Sequence, residues 1–158
     1  MSKGCDGFVF RAMRAEDVNR VTEIADQLKQ APHWPRSAYA AAIDPLAEPG
    51  RVAFVAVEAA MDAIGGFIIA TILPPQSELE IVAVTPAVQR QGIARGLIAV
   101  LAARLRVGNV TEVTLEVRAS NDPALALYQS LGFTETGRRP RYYVDPVEEA
   151  VLMRLSLR

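Results

Sequence analysis

Residues 81–96 read Ile81-Val82-Ala83-Val84-Thr85-Pro86-Ala87-Val88-Gln89-Arg90-Gln91-Gly92-Ile93-Ala94-Arg95-Gly96. A β-branched apolar run ends before Pro86, a short polar loop follows, and the next segment opens on glycine and alanine. This is a strand, a loop and a helix N-terminus in succession. Such a terminus presents unpaired backbone N–H groups and a partial positive charge, a ready site for an anion. Gly92 and Ala94 carry little or no side chain, so a bulky anion can come close to the backbone.

Working outward, the helix is expected from about Gly92 to Arg106. Its stripe is Ile93, Leu97, Ile98, Val100, Leu101 and Leu105, and Gly108 stops it. Thr111–Arg118 alternates, with Val113, Leu115 and Val117 on one face and Glu112, Thr114, Glu116 and Arg118 on the other, as in a strand with one buried face. Asn121-Asp122-Pro123 caps and starts a short helix that ends at Gly132. Strands at Phe133–Gly137 and Ala150–Leu157 finish the chain. Upstream, Phe8–Met13 reads as a strand and Ala15–Leu28 as an amphipathic helix. Four prolines break residues 30–50 into short helices and loops. Val52–Glu58 and Ala63–Leu73 read as a hairpin ended by Pro74-Pro75, and Glu78–Val84 as a third strand of that sheet. With no repeat or linker, residues 1–158 are expected to form one mixed α/β domain.

Composition narrows the function. The chain is 51% hydrophobic and 22% charged, within the globular range, and its formal net charge is −1. No global basic field draws it to nucleic acid or an anionic membrane, so neither is expected as a partner. No stretch is long and apolar enough to span a bilayer, the N-terminus lacks a signal-peptide run, and a cytoplasmic location is expected. Cys5, the lone cysteine, has only His33 as a possible imidazole partner and reads as an incidental thiol; one His and one Cys do not make a usual zinc site, and no metal is expected. From Ala87 to Gly108 there are four arginines, Arg90, Arg95, Arg104 and Arg106, and no acid. On charge alone this is equally a phosphate site or a solvated face; the loop geometry favours phosphate. The Walker G-x-x-x-x-G-K-[ST] and Rossmann G-x-G-x-x-G motifs are both absent.

Gln89-Arg90-Gln91-Gly92-Ile93-Ala94 matches the Q/R-x-x-G-x-G/A signature of the GNAT acetyltransferase superfamily. Leu115-Glu116-Val117-Arg118-Ala119-Ser120-Asn121, Ala126-Leu127-Tyr128 and Leu131-Gly132-Phe133 follow in order, and the chain resembles the RimI-type alanine N-acetyltransferases in particular. That resemblance implies a central mixed, mostly antiparallel sheet flanked by helices, and acetyl-CoA as co-substrate. It implies that Gln89, Arg90, Gln91, Gly92, Ile93, Ala94 and Arg95 hold the coenzyme pyrophosphate. It also implies that the strand through Ile81, Val82, Ala83 and Val84 pairs with the pantetheine arm, with an N–H near Val84 as oxyanion donor, and that Asn121, Ala124 and Tyr128 complete the coenzyme site.

Glu116 takes the position of the general base by that resemblance and Tyr128 that of the general acid. Read without it, Glu116 is a surface carboxylate or a partner of Arg118, and Tyr128 a packing residue. Tyr142 and Tyr143, preceded by Arg138, Arg139 and Arg141, resemble a substrate-binding hairpin; Trp34 and Glu78 are further candidates for the acceptor side, and Glu80 shares that expectation. The expected reaction moves an acetyl group to a primary amine by direct attack in a ternary complex. The expected acceptor is the N-terminal α-amine of a peptide or protein, a ribosomal protein by resemblance. A small-molecule amine acceptor and a non-catalytic acyl-CoA-binding module are the alternatives. A monomer or weak dimer is expected.

Overall fold

The computed structural model describes residues 6–158; the Cys5 thiol lies outside them. Strand β1 (Phe8–Ala12) leads through a 3-10 turn at Ala15–Asp17 into α1 (Val18–Asp26) and α2 (Arg36–Ala42). Strands β2 (Arg51–Glu58), β3 (Ala63–Leu73) and β4 (Gln76–Val84) form an antiparallel meander. Then come α3 (Ile93–Val107), β5 (Glu112–Arg118), α4 (Asp122–Ser130), β6 (Thr134–Tyr143) and β7 (Glu148–Ser156). The seven strands lie in the order β1-β2-β3-β4-β5-β7-β6, and only the β4–β5 pair is parallel. The expected mixed, mostly antiparallel sheet flanked by helices is the observed fold. No described helix is long and apolar enough to cross a membrane.

Each sheet face is covered by the helices whose stripes match it. Val18, Val21, Ile24 and Ala25 of α1, with Tyr39 and Ala42 of α2, bury against Val55, Val57, Phe67, Ile69, Ile81 and Ala83. On the other face α3 sets Ile93, Leu97, Ile98, Leu101 and Leu105, and α4 sets Tyr128, against residues that include Phe10, Ile68, Leu115 and Met153. The period-2 alternation of β5 is realised: Val113, Leu115 and Val117 are buried on the α3–α4 face. Thr114, Glu116 and Arg118 therefore point to the α1–α2 face.

Several boundaries differ from the sequence reading. Strand β4 begins at Gln76, two residues before the expected Glu78, because its first residues pair with both β3 and β5. Strand β6 runs to Tyr143 rather than Gly137, and β7 begins at Glu148 rather than Ala150, so both belong to one long hairpin. The first helix divides into the 3-10 turn and α1, and closes at Asp26. The divide falls at Asp17, which accepts from Arg14 N at 2.8 Å and from both terminal nitrogens of Arg11 at 2.7 and 3.0 Å.

Candidate active site

The site is made by a failure of strand pairing. Strands β4 and β5 are in register only at Gln76↔Glu112, Ser77↔Val113 and Glu78↔Thr114. A β-bulge follows at once: Ile69 faces Ile81 while Ala70 faces Leu79, which leaves Glu80 as the extra residue of β4. A bulge bends and twists the strand that carries it. Beyond it, β4 and β5 diverge into a wedge.

Alternation along the β3–β4 ladder sets what β4 offers to the wedge. Thr85 N donates to Gly65 O at 2.8 Å, one step beyond the Gly66↔Val84 pair. Ala83 therefore bonds toward β3, and Val82 and Val84 turn their N–H and C=O groups toward β5. The Val84 carbonyl accepts from Gln89 Nε2 at 2.9 Å, which ties the following loop back onto the strand. In that loop Gln89, Arg90, Gln91 and Gly92 are all exposed. Arg90 and Gly92 both adopt left-handed conformations, with φ of 65° and 82°, and nothing lies within 4 Å of the place a Gly92 Cβ would occupy. Together these give a bare, backbone-lined approach to the α3 N-terminus. Arg95 is engaged sideways, donating to Ser130 Oγ at 2.8 Å.

On the far wall, Asn121 caps α4 as its sequence suggests, accepting from Ala124 N at 3.3 Å. Ala124 packs against the α3–α4 core. Tyr128, 8% exposed, projects from α4 beside Phe133, with ring centroids 5.5 Å apart. Burial, and then the nearby Tyr143, pushes its hydroxyl up to about 12.

The other face of the wedge gathers the acceptor-side candidates. Glu116 Oε2 is buried without a hydrogen-bond partner, an expensive state for a carboxylate oxygen. Arg139 Nη1 stands 4.0 Å from it, beyond hydrogen-bond reach, and the Arg139 guanidinium lies 5.5 Å from the Tyr142 ring centroid. Tyr142 and Tyr143 meet edge to face at 5.0 Å. Burial, then the Glu116 charge, raises both hydroxyls above the ordinary tyrosine range, Tyr143 to about 12. The Glu78 carboxyl is likewise held up, first by burial, then by the charges of Glu116 and Glu80, against the pull of Arg139. Glu116, Glu78, Tyr142 and Tyr143 thus share one electrostatic neighbourhood.

Two expectations need adjusting. Glu80 is internally paired: Arg51 Nε donates to it at 2.9 Å and the Thr71 hydroxyl donates to the same oxygen. Arg118 is not the partner of Glu116; it stacks 4.4 Å from the Tyr143 ring centroid and donates to Glu148 and to the Val144 and Pro146 carbonyls. Arg118 thereby braces the β6–β7 turn, a role that nothing in its own strand pattern announces. Trp34 lies in the α1–α2 connection, 5.2 Å from Tyr39, packed into the α1–α2 core.

Comparison with known proteins agrees with this geometry. Residues 18–133 match the family model described as "Acetyltransferase (GNAT) family". The [ribosomal protein bS18]-alanine N-acetyltransferase of Escherichia coli K12 is 41% identical over 96 residues, 60% of this chain and 65% of that protein. The N-alpha-acetyltransferase RimI of Mycobacterium tuberculosis H37Rv is 44% identical over 81 residues, 51% of this chain and 49% of that one. These matches span less than two thirds of either relative. The crystal structure of the ribosomal-protein-S18-alanine N-acetyltransferase from E. coli superposes with a TM-score of 0.82 at 30% identity, covering 95% of this chain and 94% of that one. With a matching family model over most of its length and this fold, the chain belongs to the GNAT acetyltransferase family.

Proposed function

We propose that this chain transfers an acetyl group from acetyl-CoA to the N-terminal α-amine of a peptide or protein, an alanine terminus above others. The observation that carries the reading is the buried Glu116 Oε2 without a hydrogen-bond partner, in one electrostatic neighbourhood with Glu78, Tyr142 and Tyr143, the last of which also acts on the Tyr128 hydroxyl. The coenzyme pyrophosphate is assigned to the backbone from Gln89 to Arg95, helped by the positive end of α3. Its pantetheine arm is assigned to the outward-facing groups of Val82 and Val84, and the Val84 N–H to the oxyanion that develops on the thioester carbonyl. Asn121 and Ala124 flank the same arm.

The chemistry is balanced by two groups. The neutral amine attacks the thioester carbon; the N–C bond forms, the C–S bond breaks, and the amine proton passes to Glu116 directly or through one water. Tyr128 gives its proton to the departing thiolate and regains one through solvent as Glu116 releases its own. A hydroxyl pushed up to about 12 stays protonated at neutral pH and is available for that donation. An α-amine, with an ordinary pKa of about 8, is partly neutral near pH 7, whereas a lysine near 10.4 is not. A weak base therefore suffices for an N-terminal acceptor.

Tyr142, Tyr143 and Trp34 are assigned to the acceptor backbone, and Glu78, which shares the neighbourhood of Glu116, to the approach of its ammonium group toward Glu116. A polycationic small amine would call for uncompensated carboxylates. Here Glu80 is neutralised by Arg51, and Arg139 stands over Glu116, which supports the peptide reading. The similarity to enzymes described as acting on bS18 makes a ribosomal protein the acceptor to try first.

The test is thiol release from acetyl-CoA with two peptides, one beginning with a free alanine and one N-terminally blocked with an internal lysine. Turnover is expected on the first only. Glu116→Gln and Tyr128→Phe are each expected to lower kcat by about 10²-fold or more. Binding of acetyl-CoA without turnover on either peptide would remove the N-terminal assignment and favour small amines or a binding module.

A further inference from the structure

Arg139 sits on the long part of β6 that no hydrophobic periodicity marks, yet it meets the most unusual atom of the site. Glu116 Oε2 is buried and receives no hydrogen bond, and the nearest cation stops at 4.0 Å. A guanidinium has five N–H donors and readily forms a forked bond to a carboxylate. Here it instead leans over the Tyr142 ring, 5.5 Å from its centroid, with 56% of its side chain exposed. The charge of Glu116 is balanced while the Oε2 lone pairs stay open, with the Tyr142 hydroxyl close to the same carboxylate. Two neighbouring arginines are committed elsewhere: Arg51 to Glu80, and Arg118 to Glu148 and the β6–β7 turn.

We propose that Arg139 is a displaceable counter-ion: it balances Glu116 while the site is empty, and the acceptor's N-terminal ammonium must compete with it for the same carboxylate. The inference rests on the N-terminal-amine reading above and adds a positioning and selecting residue to it. Arg139 touches neither the thioester nor the Tyr128 proton; it acts through Glu116 and Tyr142. Two cations beside one carboxylate repel each other, so an arriving ammonium pushes the guanidinium outward. Tyr142, under the guanidinium and 46% exposed, lies on the same edge strand. Arg139 therefore weakens the binding of every cationic acceptor terminus and has no such effect on one that carries no charge.

The experiment compares the intact wild-type chain with Arg139→Gln and Arg139→Lys. Calorimetry, with coenzyme A present so that no turnover occurs, measures binding of a short alanine-initiated peptide with neutral side chains, and of the same peptide N-acetylated. Arg139→Gln is expected to bind the free-amine peptide about three- to five-fold more tightly, the scale of a half-exposed ion pair. The acetylated peptide is expected to bind both proteins alike. In turnover, KM for the free-amine peptide falls by the same factor, and Arg139→Lys restores the wild-type value. A merely structural role would move both peptides together. If wild type acetylates the free-amine peptide and Arg139→Gln binds it no tighter, the counter-ion assignment is wrong and the N-terminal reading stands. If wild type neither binds nor acetylates any free-amine peptide, both fall.

Discussion

Gly96 lies one turn into α3, immediately above the loop assigned to the coenzyme, and its backbone N–H bonds Gly92 O at 2.9 Å. A Cβ at this position would stand 2.4 Å from Phe10 Cζ, 2.9 Å from Cε2 and 3.2 Å from Cε1. Ordinary carbon contacts begin near 3.5–4.0 Å, so the ring or the helix must yield by about 1.2 Å. Phe10 is 3% exposed on β1, and its ring is held in the α3–α4 core beside Leu97 and Ile68, so little free volume receives it. Overpacking of this kind costs about 1–3 kcal/mol, against which alanine regains about 1 kcal/mol of helix propensity over glycine. A contact as short as 2.4 Å belongs to the upper part of that range, about 2–3 kcal/mol, so Gly96→Ala is expected to lose about 1–2 kcal/mol net, read from the urea midpoint by Trp34 fluorescence. Because α3 is the element that yields, KM for acetyl-CoA should rise as well. Pairing it with Phe10→Leu, which removes the clashing Cζ, should give a double-mutant cycle that departs from additivity by more than about 0.5 kcal/mol. A Gly96→Ala protein as stable as wild type, with unchanged KM, would show that α3 and β1 do not meet as rigidly as argued.

Two other substitutions test separate parts of the structure. Asp17→Asn removes the charge that receives Arg11 at 2.7 and 3.0 Å and weakens acceptance from Arg14 N, at a site 4% exposed; a loss of about 2–3 kcal/mol is expected in chemical denaturation. Burial opposes ionisation of Asp17, but the Arg11 and Arg14 hydrogen bonds hold its carboxyl below the ordinary 3.8. Its contribution is therefore full above that value and lost as pH falls below it, so wild type and Asp17→Asn should converge in acid. Tyr128 has the opposite sign. Burial and then Tyr143 push it up to about 12 from 10, so its folded form binds the proton longer than the unfolded chain does, and stability is lost as pH rises from about 10 to 12. Tyr128→Phe should spare about 1 kcal/mol of that loss by pH 11, in urea midpoints compared between pH 9 and 11; parallel pH curves for the two proteins would exclude the assignment.

How far the sequence reveals this molecule depends on whether a segment has a buried face. Strand β5 is legible because Val113, Leu115 and Val117 all enter the core, and α1 and α3 because their apolar stripes do. Strand β6 is not: from Thr134 to Tyr142 almost every residue is exposed, Pro140 interrupts it, and its register slips between Glu135 and Gly137. An edge strand of that kind has no period-2 signal, since no core selects its side chains. The β4 bulge is equally silent, because Glu80 finds its partners Arg51 and Thr71 only once three strands are side by side. Glu116 and Tyr128 could be singled out through family resemblance; the residues alone leave each with an ordinary structural explanation. The posture of Arg139 over Tyr142 and Glu116 depends on the path of β6 and lies outside what spacing encodes.

The short β4–β5 register has a consequence for the molecule as a mechanical object. The two halves of the sheet, β1–β4 and β5–β7, are joined by three rungs at one end, with the Thr111 N–H to Pro75 O bond at 2.8 Å beside them. Above that seam the backbone of β4 is an interior edge, polar on a side that no strand reaches. Whatever slender chain does enter supplies the missing rungs and fastens one half to the other. Occupancy and cohesion then become a single equilibrium, in which the melting temperature of the protein reports the concentration of the molecule lodged between its halves.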